Sequence, residues 1–206
     1  MVAMHITVFG ANGATGKHVV DQALAAGHRV RAVVRDPKSI ETKHEQLEIV
    51  KGDVMNDASK LDVAGEAVLS CIGARTRKAD GIAARGTENI LAAMKRADVK
   101  RIVVISAAPL GAPEGMFQRV AFAILWTLLR DVYSDLRDME AVLRKSDTDW
   151  TITRPPRLTD GPLTGKYRTA IDRNVGSVIS RADLAREMLR ALEEPKTIGH
   201  SIGLSD

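Results

Sequence analysis

Apolar residues along this chain fall into short runs that alternate with stretches of helical period. Met4–Phe9, Arg29–Val34, Leu47–Val50, Ala67–Ile72, Arg101–Ile105 and Trp150–Thr153 are brief and rich in β-branched residues, and each is predicted as a strand. Between them the apolar spacing changes to three and four. Thr15–Ala26 carries Val19, Val20, Ala23 and Leu24 on one face, with Gly27 as its stop. Thr87–Ala97 carries Ile90, Leu91 and Met94, and Asp135–Lys145 carries Leu136, Met139, Val142 and Leu143. Strands too apolar to alternate, interleaved with helices, predict an α/β fold with a doubly wound parallel sheet covered on both faces.

The pattern loosens after Pro155-Pro156, and Thr159–Gly165 is rich in glycine, proline and threonine. A last helix opens on the capping box Ser180-Arg181-Ala182-Asp183 and carries Leu184, Met188 and Leu192. Residues 1–206 therefore read as a single domain, with 155–206 contributing a small cap on the substrate side. Val120–Leu129 breaks the amphipathic rule. It is apolar all round, with Arg119 and Arg130 at its ends, and is far shorter than the ~20 residues of a spanning helix. Such a helix is buried, closes over a ligand as a lid, or meets a partner, a second copy included.

Composition narrows the function. Hydrophobic residues at 45% and charged residues at 27% of 206 suit an ordinary globular chain. Aromatics at 3% leave few stacking surfaces for single-stranded nucleic acid. The net charge of +4 is scattered among acids with no basic stripe, which suits an anionic cofactor and gives no reason to expect nucleic acid. Cys71 is the single cysteine, so no internal disulfide can form, and a reducing, cytoplasmic compartment is expected. Its place in an apolar strand makes a buried, inert thiol the default. The apolar start runs straight into glycines, unlike a signal peptide. His5, His18, His28, His44 and His200 are dispersed, so no metal is expected.

The chemistry gathers just after the predicted strands, where ligands bind in such sheets. Gly10-Ala-Asn12-Gly13-Ala14-Thr15-Gly16 joins the first strand to the first helix. Glycines there permit a tight turn and close approach of a pyrophosphate, whose charge meets free N–H groups and the positive end of the helix dipole. The spacing is GxxGxxG. After the second strand stands Arg35, placed to meet a 2′-phosphate, with Asp36 next to it; a solvated surface arginine is the alternative. Asp53-Val54 follows the third strand, as an adenine contact or a plain turn. Gly73-Ala74-Arg75 follows the fourth, where backbone could approach pyrophosphate and ribose. Ser106 follows the fifth, as a hydroxyl near a nicotinamide or an ordinary strand-end serine. With Pro155 after the last predicted strand, these residues make up the candidate cofactor site.

Gly10-Ala-Asn-Gly13-Ala-Thr-Gly16, Val34-Arg35-Asp36-Pro37, Gly52-Asp53-Val54 and Ile105-Ser106 resemble the atypical short-chain dehydrogenase/reductases with a Rossmann-like, NmrA-like fold. The run from Pro155-Pro156 through Asp160-Gly-Pro-Leu-Thr-Gly-Lys-Tyr167, with Val178–Leu184, is similar to the NADPH-dependent flavin reductase/biliverdin-IXβ reductase family. The resemblance implies hydride transfer from NADPH to a loosely held flavin or tetrapyrrole, with Ser106 beside the nicotinamide. Tetrapyrrole-reducing members carry a histidine after the proline pair, where this chain has Arg157. Arginine is a poor proton donor and a good phosphate partner, so the expectation shifts towards anionic acceptors such as FMN.

Tyr133 and Arg137 resemble the Tyr-x-x-x-Lys pair of orthodox short-chain dehydrogenases, with arginine for lysine. Tyr133 either exchanges a proton with substrate or packs on Trp126 at a helix start. The expected function is an NADPH-dependent oxidoreductase with a flavin-like or quinone-like acceptor, in which Ser106, Arg157 and Tyr133 orient or polarise that acceptor. An NADP(H)-binding regulator without turnover, or a sugar epimerase or ketone reductase using Tyr133, are the other readings.

Overall fold

The computed structural model describes residues 3–56, 58–74, 76–113 and 115–206. Its six predicted strands form as β1 (His5–Phe9), β2 (Arg29–Val34), β3 (Leu47–Lys51), β4 (Ala67–Ser70), β5 (Arg101–Ile105) and β6 (Asp149–Arg154). The helices between them are α1 (Ala14–Ala25), α2 (Ile82–Arg96), α3 (Gly115–Leu128) and α4 (Arg130–Lys145). The last stretch adds β7 (Arg157–Thr159), β8 (Arg168–Ile171), β9 (Val178–Ser180), α5 (Arg181–Leu192) and β10 (His200–Ser205).

The main sheet runs β3-β2-β1-β4-β5-β6-β10-β8, and every pairing in it is parallel except β8 on β10. Strand order reverses beside β1, which is the doubly wound arrangement the apolar runs predict. Alternate side chains divide the core. Ile6, Val8 and Val103 join the layer of α1 and α5, while Phe9, Ile102 and Val104 join that of α2 and α4. β4 and β5 are covered on both sides, which explains their unbroken hydrophobicity.

The differences from expectation are mostly tertiary in origin. α2 begins at Ile82, five residues before the predicted Thr87, because the Asp135 carboxylate on α4 accepts hydrogen bonds from Ala83 N and Ala84 N at 2.8 and 2.9 Å. A capping group from another helix leaves no local signature. α4 itself starts at Arg130, not Asp135, with only Leu129 separating it from α3.

Four strands after Pro155 escape prediction because each is short or polar. Of residues 155–206, β8 and β10 widen the main sheet, and α5 packs against α1. The part that lies beside the strand ends is the separate ribbon of β7 and β9. α5 opens as expected, with Ser180 Oγ accepting from Asp183 N at 2.9 Å. The apolar run of α3 is not buried within the chain. Met116, Phe117, Val120, Ile124 and Leu128 are 75, 88, 54, 55 and 56% exposed. Among the described residues no helix is long and apolar enough to cross a membrane.

Candidate functional site

The loop from Gly10 to Gly16 is built by contacts that only glycine permits. Gly10 has φ +73°, and a Cβ there would lie 2.6 Å from the Cys71 carbonyl oxygen on the neighbouring strand end. A Cβ on Gly16 would lie 2.1 Å from the Gly10 oxygen, so Gly16 lets α1 close down on the loop. Gly13 stands at the N-cap of α1, donates to Gly10 O at 2.9 Å, and brings no side-chain cap. No acid lies in the first turn. The positive end of the helix therefore opens on the cleft with no carboxylate to neutralise it.

That cleft has a volume of about 360 Å³ and crosses the carboxyl ends of β1 to β5. Gly10, Asn12, Gly13, Ala14 and Thr15 form one wall. Val33, Val34 and Arg35 line it from β2, and Gly52, Asp53 and Val54 from the end of β3. Cys71, Ile72, Gly73 and Ala74 continue it past β4, with Ile82, Ile105 and Leu158 at its other edge. The expected cofactor residues are thus brought together, apart from Gly16, Ser106 and Pro155, which are not among the residues lining the cleft. Arg75 lies outside the described residues.

Individual contacts divide the roles. Asn12 Nδ2 donates to Ser39 Oγ at 3.1 Å and ties the glycine loop to the turn after β2. In that turn the Asp36 carboxylate accepts from Lys38 N at 3.1 Å, so it caps its own turn and Arg35 is left as the cleft's charged group there. Arg35 is exposed. Asp53 Oδ1 likewise accepts from Met55 N at 3.0 Å, and Asn89 Nδ2 donates to Val54 O at 2.8 Å. A Cβ on Gly73 would meet nothing within 4 Å, so packing within the chain does not call for glycine there. Space over that backbone suits a bound dinucleotide.

Beyond Ile105 the site is made of side chains. Ser106 is 5% exposed, and its hydroxyl donates to Glu140 Oε1 at 2.7 Å. Arg154 Nε and Nη2 grip the same carboxylate at 3.0 and 2.5 Å, and Arg144 Nη2 adds a third contact at 3.3 Å. Burial opposes ionisation of Glu140. The hydrogen bonds from Arg154 and Ser106, with the Arg154 charge, outweigh it and hold the carboxyl below the usual glutamate range. The Ser106 proton is therefore committed to an ionised carboxylate, and its oxygen offers lone pairs only.

Tyr133 is 7% exposed with its ring 5.4 Å from that of Trp126, the packing alternative weighed for it, and it does not line the cleft. Burial pushes its phenol upward, opposite to the shift a proton-exchanging tyrosine needs. Arg137 sits over Trp126 at 5.9 Å. Pro155 is buried, and its carbonyl accepts from Ala108 N at 2.9 Å. Arg157 is exposed on β7, next to Leu158 in the cleft wall. Cys71 is only half-buried and lines the cleft, unlike the buried thiol expected of it, while desolvation raises its thiol to about 12.

Sequence reasoning missed Glu140 and Arg154. One signal was present: Glu140 falls on the core face of α4 beside Leu136, Met139 and Leu143, where an acid demands a partner.

The fold is that of a doubly wound dinucleotide-binding protein, with a glycine loop and a helix N-terminus without a side-chain cap on the cleft. The chain belongs to the NAD(P)H-binding family, whose model matches residues 10–195. An uncharacterised chloroplastic protein of Arabidopsis thaliana is 32% identical over 78% of this chain, which spans 61% of that protein's length. A Streptococcus pneumoniae structure whose name proposes an NADH-flavin reductase superposes with a TM-score of 0.76 and 25% identity, covering 99% of this chain and 100% of that one. A Veillonella parvula short-chain dehydrogenase/reductase in complex with NADP superposes at 0.78 and 21% identity, covering 100% and 95%.

Proposed function

We propose that this chain is an NADPH-dependent oxidoreductase whose acceptor is a loosely bound flavin or quinone. When bound, the nicotinamide would supply hydride. Gly10, Gly13 and the first turn of α1 would hold its pyrophosphate, Arg35 its 2′-phosphate, and Asp53-Val54 its adenine. Ser106, with only lone pairs to offer, would orient a donor group of the nicotinamide or the acceptor.

The observation that carries the acceptor class is that, among the described residues, none of the candidate proton donors is ready to serve as an acid. The Ser106 proton is held by Glu140, the Tyr133 phenol is packed against Trp126, and Cys71 is a weak acid near 12. Flavins and quinones take hydride at an electron-poor ring and their proton from water, so they suit such a site. Arg157 would meet only the outward phosphate of an acceptor such as FMN, since strand alternation turns it away from Leu158. A sugar epimerase or ketone reductase built on Tyr133 lacks a phenol in the cleft lining. An NADP(H)-binding regulator draws on the exposed apolar face of α3.

Purified protein should oxidise NADPH only when FMN, riboflavin or a simple quinone is added, and should be colourless as isolated. NADPH binding without turnover across that panel would overturn the reductase reading and favour the regulator.

A further inference from the structure

The solvent face of α3 has a relief that matches a copy of itself. Met116, Val120, Ile124 and Leu128 recur every fourth residue and form one continuous apolar ridge, each more than half exposed. Beside it runs the parallel row Arg119, Ala123 and Thr127, also exposed, whose last two members are small. Thr127 Oγ1 donates to Ala123 O at 3.0 Å, so the one hydroxyl of that groove is satisfied within its own helix. Ridges of i±4 spacing packing into i±4 grooves is the commonest helix–helix geometry. A two-fold axis near Ala123 lays each ridge in the other copy's groove.

The helix does not hang loose. Trp126 Nε1 donates to Pro109 O at 3.1 Å and Gln118 Nε2 to Gly176 O at 3.0 Å, fixing the inner face and presenting the outer one. From their exposures, the ridge with Phe117 offers on the order of 600 Å² of apolar surface, the upper end for a monomer's largest patch. Two copies would bury about 1,200 Å², the threshold of a stable interface. A lipid surface fits less well. Helices that lie on membranes carry several basic residues, whereas Gly115–Leu128 has Arg119 alone.

We infer that this face of α3 is a homodimer interface, in which two copies cross helix to helix at Ala123. The proposal is independent of the reaction, and its test uses no activity. Sedimentation velocity on the full chain should find a dimer at micromolar concentration. Ala123→Glu and Thr127→Arg, both at exposed positions, should raise the dissociation constant at least about thirtyfold while thermal unfolding and NADPH binding stay intact. Ala123→Cys should cross-link to itself under mild oxidation, since the Cys71 thiol is a weak acid in the cleft and lies outside α3, whereas Lys145→Cys should not. A wild-type monomer at 100 micromolar (roughly the ceiling for an interface of this size) would overturn the proposal. So would dimers that survive both groove variants, or a monomer that pellets with anionic phosphatidylserine vesicles.

Discussion

The cleft and the ground just past it are built on different principles. From β1 to β4 the cleft is shaped largely by backbone: Gly10 and Gly16, whose positions admit no Cβ, a helix N-terminus without a side-chain cap, and side chains that mainly brace the loops. Past β5 the surroundings are side chains, with Ser106, Glu140, Arg154 and Arg144 drawn from one loop, one helix and one strand. Backbone amides hold a pyrophosphate in nearly the same way whatever the neighbouring residues. A side-chain network instead sets hydrogen-bond direction, because each proton has one destination. Under the proposed function the glycine loop would be a general device for the cofactor, and the network would determine what the cofactor meets.

The hardest blow to that contrast falls on the network. Arg154→Ala leaves the Glu140 charge buried with Arg144 as its only cation, and should cost about 3–5 kcal/mol in urea unfolding. Adding Glu140→Gln should recover part of the loss. Glu140 titrates below its ordinary value in the folded chain, so its contribution is complete above the unfolded value of about pH 4.3 and is lost as pH falls through the lowered native value. Glu140→Gln should flatten that acid limb. A loss below about 1 kcal/mol for Arg154→Ala would mean the network is not a unit.

At the backbone end Gly16→Ala should be next in size, because its Cβ meets the Gly10 oxygen at 2.1 Å. We expect about 2–3 kcal/mol of lost stability together with loss of NADPH binding, read by unfolding and fluorescence titration. Binding that survives would show that the loop tolerates rearrangement.

Arg35→Ala sharpens the comparison by separating charge from backbone. It should weaken NADPH by about 1.5–3 kcal/mol and leave NADH nearly unchanged, with the gap narrowing as salt rises. Equal weakening of both cofactors would make Arg35 structural. The smallest effect is expected from Arg157→Ala, which should raise KM for FMN up to about tenfold and leave riboflavin unaffected. Equal effects on both acceptors would remove the phosphate contact.

Local sequence was enough to determine six strands of the main sheet, their parallel pairing, the glycine loop and the position of Arg35. Period, glycine spacing and strand ends act between near neighbours, so a reader of the chain can find them. Tertiary structure alone decided the rest. Asp135 starts α2 from another helix, and β10 joins the sheet next to β6 although its apolar residues form no run. Tyr133 packs on Trp126, an alternative its spacing to Arg137 left open. Glu140 reaches Ser106 across 34 positions of sequence. Such contacts depend on which faces the packed layers bring together, and a carboxylate in a helix carries no mark of the distant hydroxyl it will meet.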